Sequence, residues 1–222
     1  MPENPKFFDP QARSHGGLDA PAFHRNHGPI WSVLAPYLAS ATGHVLEAGS
    51  GTGQHVVEFA RQSPGLIWWP ADYDAQHLQS IEAWRAHSGL SNIQPARFID
   101  LSAPEWGLSG EDSQTLKDLT AIFCANVIHI APWPVAEGLL AQAASRLQQN
   151  GKLFLYGPFK RDGQHTAPSN EASDHSLRSR DPSWGVRDIA EIEPLARANG
   201  LSLKHIVPMP ANNMILIFER PI

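Results

Sequence analysis

Cysteine is nearly absent from this chain: Cys124 is the single one in 222 residues. That excludes an internal disulfide framework and a multi-cysteine zinc site, and the expected compartment is a reducing one, the cytoplasm. Charge is scarce too, at 18% of residues, and no Lys/Arg block interrupts a formal net charge of -5. Sequence-independent nucleic-acid binding, which neutralises phosphates with clustered cations, is therefore not expected. No apolar run approaches the roughly 18 residues of a membrane span, and the opening MPENPKFFDPQARSHGG is too polar for a secretory signal. No membrane partner is expected. His24 and His27 form an HxxH pair without an HExxH or Cys/His constellation, so no metal site is expected.

What the chain does have is apolar material: 42% of residues are hydrophobic, enough for one packed domain spanning 1–222. Short apolar runs end in Gly, Pro, Asp or Asn: HVLEAGS (44–50), LIWWPAD (66–72), PARFID (95–100), LTAIFCAN (119–126) and KLFLYGP (152–158). These read as buried strands. Helical stretches at 54–62, 75–88 and 135–149 lie between them, with another expected over 29–40. Alternating strands and helices predict an α/β fold with a parallel sheet, helices on both faces, and a ligand crevice at the carboxyl ends of the strands. A last helix (186–199) and two strands, LSLKHIVP and NMILIFER, close the chain, and the short link between those strands makes them antiparallel. The polar stretch 158–185 is expected to be a lid or a substrate-binding insert. Of the 19 prolines, Pro70, Pro132, Pro134, Pro158, Pro168, Pro208 and Pro210 follow predicted strands, which places them around the crevice.

The most informative segment is EAGSGTG, from Glu47 to Gly53, between a predicted strand and a predicted helix. Glycine at Gly49, Gly51 and Gly53 permits positive φ in a tight turn and a close backbone approach to a ligand. A dinucleotide fingerprint needs its third glycine at position 54, where this chain has Gln54.

An acid two residues before GxGxG resembles motif I of class I S-adenosylmethionine-dependent methyltransferases, and Glu47, Gly49, Gly51 and Gly53 each match it, with Ser50 inside the loop. The stretches AGSGTGQH, NVIHIAPW, YGPFKRDGQHTAPSN, RDPSWGVRD and MPANN extend the likeness over nearly the whole chain. Together they resemble a little-characterised methyltransferase-like family that includes animal methyltransferase-like protein twenty-six. The resemblance implies a Rossmann-like methyltransferase fold, with a seven-stranded, mostly parallel sheet and one antiparallel strand near the C-terminus. It also implies S-adenosylmethionine as cofactor. Asp72 takes the place of the acid that binds the ribose hydroxyls, Asp100 that of the acceptor for the adenine amino group, with Leu101 beside the ring. Asn126, at the end of strand four, falls next to the methionine part.

Several residues keep two readings. Asp74 competes with Asp72 for the ribose or caps the next helix. Tyr73 lies along the adenine or ribose, or packs in the core. Arg25 and Asn26, within the N-terminal segment 1–28 expected near the cofactor, are candidates to close over its carboxylate. His129 is a candidate general base or a residue that orients its loop. Tyr156, Lys160, Arg161 and His165 are candidate substrate contacts, with Tyr156 paired with His129 as a catalytic candidate. The resulting expectation is methyl transfer to a small-molecule acceptor, with oligomeric state undetermined. Protein methylation, a non-catalytic cofactor-binding module and, last, an NAD-dependent oxidoreductase are the alternatives.

Overall fold

The computed structural model describes residues 13–222. Residues 1–12, the first part of the expected N-terminal segment, lie outside the described residues. The chain divides into two compact units, one running to Ile99 and one from Asp100 to Ile222.

In the first unit α1 (Pro21–Leu38) leads to β1 (Gly43–Ala48), α2 (Gln54–Gln62), β2 (Leu66–Asp72), α3 (Ala75–Ser88) and β3 (Arg97–Phe98). β2 pairs in parallel with both β1 and β3. The adjacent tryptophans of β2 are both buried and each finds an acceptor: Trp68 Nε1 donates to Ser63 Oγ at 2.9 Å and Trp69 Nε1 to His44 Nδ1 at 3.0 Å. Successive residues of a strand point to opposite faces, so each ring needs its own partner. α3 starts at Asp74, whose carboxylate accepts from the amides of Gln76 and His77 at 2.8 and 3.0 Å, and stops at Gly89 in the left-handed region. Two expectations are corrected here. The first helix begins at Pro21 rather than at 29, so Pro29 lies inside it together with Pro36. Pro21 sits where a missing N–H costs nothing, whereas Pro29 forfeits one helical bond that the apolar face Ile30, Leu34 and Leu38 outweighs. The strand expected over 95–100 pairs only at Arg97–Phe98, and Phe98 is 61% exposed.

The second unit holds a short helix α4 (Gly110–Thr115), β4 (Leu119–Ala125), α5 (Trp133–Arg146), β5 (Leu147–Gly157), β6 (Phe159–Arg161), β7 (Gln164–His165), α6 (Pro168–Arg180), β8 (Arg187–Asp188), α7 (Ile189–Ala198), β9 (Ser202–Met209) and β10 (Asn213–Glu219). β4 runs parallel to β5, and β10 runs antiparallel to both β5 and β9. The strand order is β3-β2-β1-β4-β5-β10-β9, the seven-stranded, mostly parallel sheet expected, with β10 as the reversed strand. The stretch 158–185 is not a plain loop. It supplies β6 and β7 of a second sheet, ordered β7-β6-β8, and the whole of α6. Pro70 and Pro208 lie inside β2 and β9 rather than after them, while Pro132 and Pro168 sit at the heads of α5 and α6.

α5 packs so closely on the segment after Asp100 that a Cβ at Gly138 would lie 2.0 Å from the Leu101 carbonyl oxygen. The indole of Trp106 holds the same spot, donating to the Gly138 carbonyl at 3.1 Å. In an open helix Gly→Ala stabilises by up to about 1 kcal/mol. Here Gly138→Ala is expected to destabilise by roughly 2 kcal/mol, because the methyl meets backbone that has no room to yield. Urea unfolding of the two proteins checks this, and a stabilised variant would contradict it.

Candidate cofactor-binding and acceptor sites

All three glycines of the loop after β1 have positive φ: 73° at Gly49, 56° at Gly51 and 87° at Gly53. They do different work. A Cβ on Gly53 would lie 2.8 Å from the Ile81 Cα, so this glycine lets α2 start against α3. Gly51 has nothing within 4 Å of its would-be Cβ and presents bare backbone to open space, as close approach by a ligand requires. The amides of Gly49 and Ser50 both donate to the Ala71 carbonyl, at 2.9 and 2.8 Å. The Ser50 hydroxyl donates to the Glu47 carbonyl and accepts from the Ala71 amide, both at 3.1 Å. Ser50 thus uses its side chain to build the loop.

Asp72 ends β2 with its carboxylate buried against this loop. Oδ2 accepts from the Gly51 amide at 2.8 Å, and Oδ1 from the Asp74 amide at 3.0 Å, with His77 Nδ1 at 3.3 Å. Asp74 is occupied as the helix cap, which leaves Asp72 as the acid facing the loop. Burial works against charge on His77, but the bond to Asp72 and the fields of Asp72 and Asp74 outweigh it and raise its pKa above the ordinary value. Glu47, one strand over, is buried with Oε2 unpartnered. Burial pushes its carboxyl up to about 8, helped by the charge of Asp72 and opposed by the Ser50 hydroxyl and the Val56 amide. Tyr73 is 70% exposed, which removes the core-packing reading for it.

The segment before α1 is fastened to the same loop. Gln54, standing where a dinucleotide fold has glycine, donates to Asp19 Oδ1 at 2.7 Å and accepts from the amide of Ala20 at 2.7 Å and the hydroxyl of Thr52 at 3.0 Å. Ser80 accepts from the Leu18 amide at 2.8 Å and donates to the Thr52 carbonyl at 2.7 Å. Gln54, Ser80, Asp19 and His77 escaped the reading of the sequence, and their only signal there is proximity to the glycine loop and to Asp72. Arg25 lies exposed on α1, and Asn26 is turned inward, with Oδ1 against His55 Nε2 at 2.9 Å. Both are helical residues rather than a loop before a helix.

In the second unit Asp100 accepts from the amide and hydroxyl of Ser102 at 2.9 and 2.6 Å, and Leu101 is buried under Gly138. Asn126 takes a left-handed φ of 62° after β4, and its amide donates to the Tyr156 carbonyl at 2.8 Å. Tyr156 itself is buried in β5. His129 is wholly buried, edge-on to Phe159 with ring centroids 4.9 Å apart. Its Nδ1 accepts from the Arg187 amide at 3.3 Å, which assigns the proton to Nε2, and Nε2 has no partner. A Cβ on Gly157 would lie 2.4 Å from that nitrogen. Burial and the charge of Arg187 push the His129 pKa down to about 3, against the Gly185 bond and Asp174. A neutral ring with its proton on Nε2 gives the lone pair of Nδ1 to the Arg187 amide. Lys160 and His165 both face Asp174 Oδ2, at 2.9 and 3.3 Å, and Arg161 is exposed. Near them Trp133, Lys160, Arg178, Arg187, Asp188 and Glu191 line a cavity of about 540 Å³. Among the described residues no group of three or more His, Cys, Asp or Glu is placed to hold a metal, and no helix is long and apolar enough to cross a membrane.

Solved structures of methyltransferases share this fold. A Galdieria sulphuraria protein provisionally named a sarcosine dimethylglycine methyltransferase shares it at TM-score 0.69 and 15% identity, over 95% of this chain and 94% of that one. An O-methyltransferase family protein from Burkholderia thailandensis matches at TM-score 0.73 and 16% identity, over 90% of this chain and 57% of its own. CalO1, a methyltransferase of calicheamicin biosynthesis in its SAH-bound form, matches at TM-score 0.64 and 18% identity, over 86% of this chain. This chain spans 57% and 52% of the length of the last two. The chain belongs to the family described as "Protein of unknown function (DUF938)", which matches residues 18–220.

The buried groups make stability depend on pH in two directions. His55, like His129, is held by burial at about 3 against an ordinary 6.5. As pH falls from 6.5 the unfolded chain binds protons that the folded chain refuses, and stability is lost. Glu47 acts oppositely: between its ordinary 4.5 and about 8 the folded chain keeps a proton that the unfolded chain has released, so stability is lost as pH rises. Urea midpoints at about pH 5 and about pH 8 are expected to show a smaller alkaline loss in Glu47→Gln than in the parent protein. An equal loss in both would place a charge on Glu47 at neutral pH.

Proposed function

We propose that this protein is an S-adenosylmethionine-dependent methyltransferase acting on a small-molecule acceptor, in line with its resemblance to the methyltransferase-like family. The observation that carries the reading is the loop after β1: open backbone at Gly51, a buried Asp72 carboxylate across from it, and a Glu47 oxygen left without a partner. An orphaned buried oxygen is costly and rare, and it fits a site that a polar ligand completes. Asp72 would take the ribose, and the loop backbone and Glu47 the methionine end. Asp100 and Leu101 on the adenine and Asn126 beside the methionine part follow from the resemblance.

Bound there, the cofactor brings a methyl group on sulfur that is already a good leaving group. The protein then has to position the acceptor and exclude water. Tyr156 and the cavity lined by Trp133, Lys160 and Arg178 are the acceptor-side candidates in the second unit. The net charge of -5 favours a small acceptor over nucleic acid, and the single cysteine favours the cytoplasm. A non-catalytic cofactor-binding module is the second reading, favoured by His129 having no lone pair free for an acceptor's proton.

Calorimetric titration with S-adenosylmethionine and S-adenosylhomocysteine tests the first step. Binding is expected for the parent protein and weakening of at least about tenfold for Asp72→Ala, since a hydrogen bond to a charged group contributes about 1.5–3 kcal/mol. No heat at high protein concentration would sink the proposal. Transfer of labelled methyl into the small-molecule fraction of a cell extract separates enzyme from module.

A further inference from the structure

The Asp72 carboxylate has little room for another donor. A carboxylate offers about four lone-pair positions. Here Oδ1 already faces two donors, the Asp74 amide and His77 Nδ1, and Oδ2 has one, the Gly51 amide. A ribose presents two adjacent hydroxyls, so one present bond has to yield before both can be accepted. The Gly51 amide is fixed by the positive-φ loop, and the Asp74 amide by the head of α3. The imidazole of His77 is the donor that a side-chain rotation can remove, and its bond is the longest of the three.

We infer that His77 occupies on Asp72 the place taken by a ribose hydroxyl, and that cofactor binding displaces it. The inference rests on the methyltransferase reading and adds a regulation to it. Displacement is easy when the ring is neutral and hard when it is charged, because a charged ring gives up an ion pair with Asp72. The charged groups facing the ring are Asp72, from β2, and Asp74, at the head of α3. Glu47, from β1, stands behind Asp72 and keeps its proton until about pH 8. The raised pKa of His77 in the free protein agrees with this geometry. The sign follows. Binding lowers the His77 pKa, so affinity is greatest above the free-protein value, falls as pH drops through it, and levels off below the pKa of the bound form. Around neutrality, binding expels a fraction of a proton.

Binding of S-adenosylhomocysteine is measured by calorimetry from about pH 5 to about pH 7, where Glu47 keeps nearly all of its proton. For the parent protein affinity is expected to fall about tenfold from the top of that range to the bottom. His77→Gln, which keeps a neutral donor, is expected to show less than about a twofold change. In buffers of different ionisation enthalpy the parent protein is expected to release protons on binding and the variant to release none. Should the variant fold poorly, the imidazole of the unmodified protein is titrated by NMR, where the His77 pKa is expected to drop on saturation with ligand. Parallel pH profiles for the two proteins, or a His77 pKa that ligand leaves unmoved, overturn the inference while leaving the methyltransferase reading in place. Absence of S-adenosylhomocysteine binding at every pH removes the cofactor reading and this inference with it.

Discussion

A buried carboxylate has to find donors, and Asp72 finds backbone ones on both sides of itself. One is the amide of Gly51, which reaches it because three glycines let the loop after β1 turn with positive φ. The other is the amide of Asp74, two residues on, at the head of α3. This arrangement joins the exits of β1 and β2 and fixes where α2 and α3 begin. The helices then meet where Gly53 passes Ile81 without space for a methyl. Gln54, the first residue of α2, extends the same construction outward by holding Asp19 and Ala20. A hydrogen bond to a charged group is stronger than a neutral one, which suits it to anchoring a loop that must stay open at Gly51.

The second unit solves a different problem, that of folding a stretch with too few apolar residues to collapse unaided. Asp174 on α6 does it with charge. It accepts from Lys160 on β6, from Arg178 one turn along α6 and from the Val186 amide before β8. Burial alone would raise its pKa, but these donors hold it below the ordinary carboxylate range. Arg187 completes the knot by donating to the carbonyls of Ile128, Ala131 and Ser183 while lying over the ring of Trp133. His129 fits between, taking the Arg187 amide on one side and giving its own carbonyl to Gly185. Charges are costly to bury unless paired, and around α6 they are paired beside the apolar core that β4, β5, α5 and β10 supply.

That contrast explains what the sequence made legible. α2 and α3 fall on the residues expected because punctuation and period agree: Gly53 and Asp74 start them, and Gly89 ends the second. The last two strands pair antiparallel because a short link leaves no other choice. α6 was hidden because PSNEASDHSLRSR is polar on nearly every side and its order comes from ion pairs, which leave no periodic trace. Pro29 reads in the sequence as the beginning of α1, although Pro21 already is one. At the site, the glycines and Asp72 could be named because their residue types are scarce and their spacing is rigid. His77 could not, since a histidine five residues after an acid is commonplace until a helix cap fixes the ring against that acid.

Glu47 and Asp72 lie opposite the same loop, yet donors are divided unequally between them. Asp72 faces two amides and an imidazole, whereas one oxygen of Glu47 faces nothing. Two charges this close and this deep would repel, and the unequal division decides which acid carries one: the field of Asp72 adds to burial in keeping the proton on Glu47. The first unit thus presents a single negative charge at Asp72 and an uncharged but unsatisfied carboxyl beside the open backbone. Structure alone gains nothing from an unsatisfied carboxyl, and an apolar side chain of similar size would pack there without the desolvation cost. Departures of this kind from the rules of stable packing gather at functional sites. A buried acid left without a partner, at the turn where a glycine leaves the backbone bare, is accounted for once a polar ligand supplies the missing one.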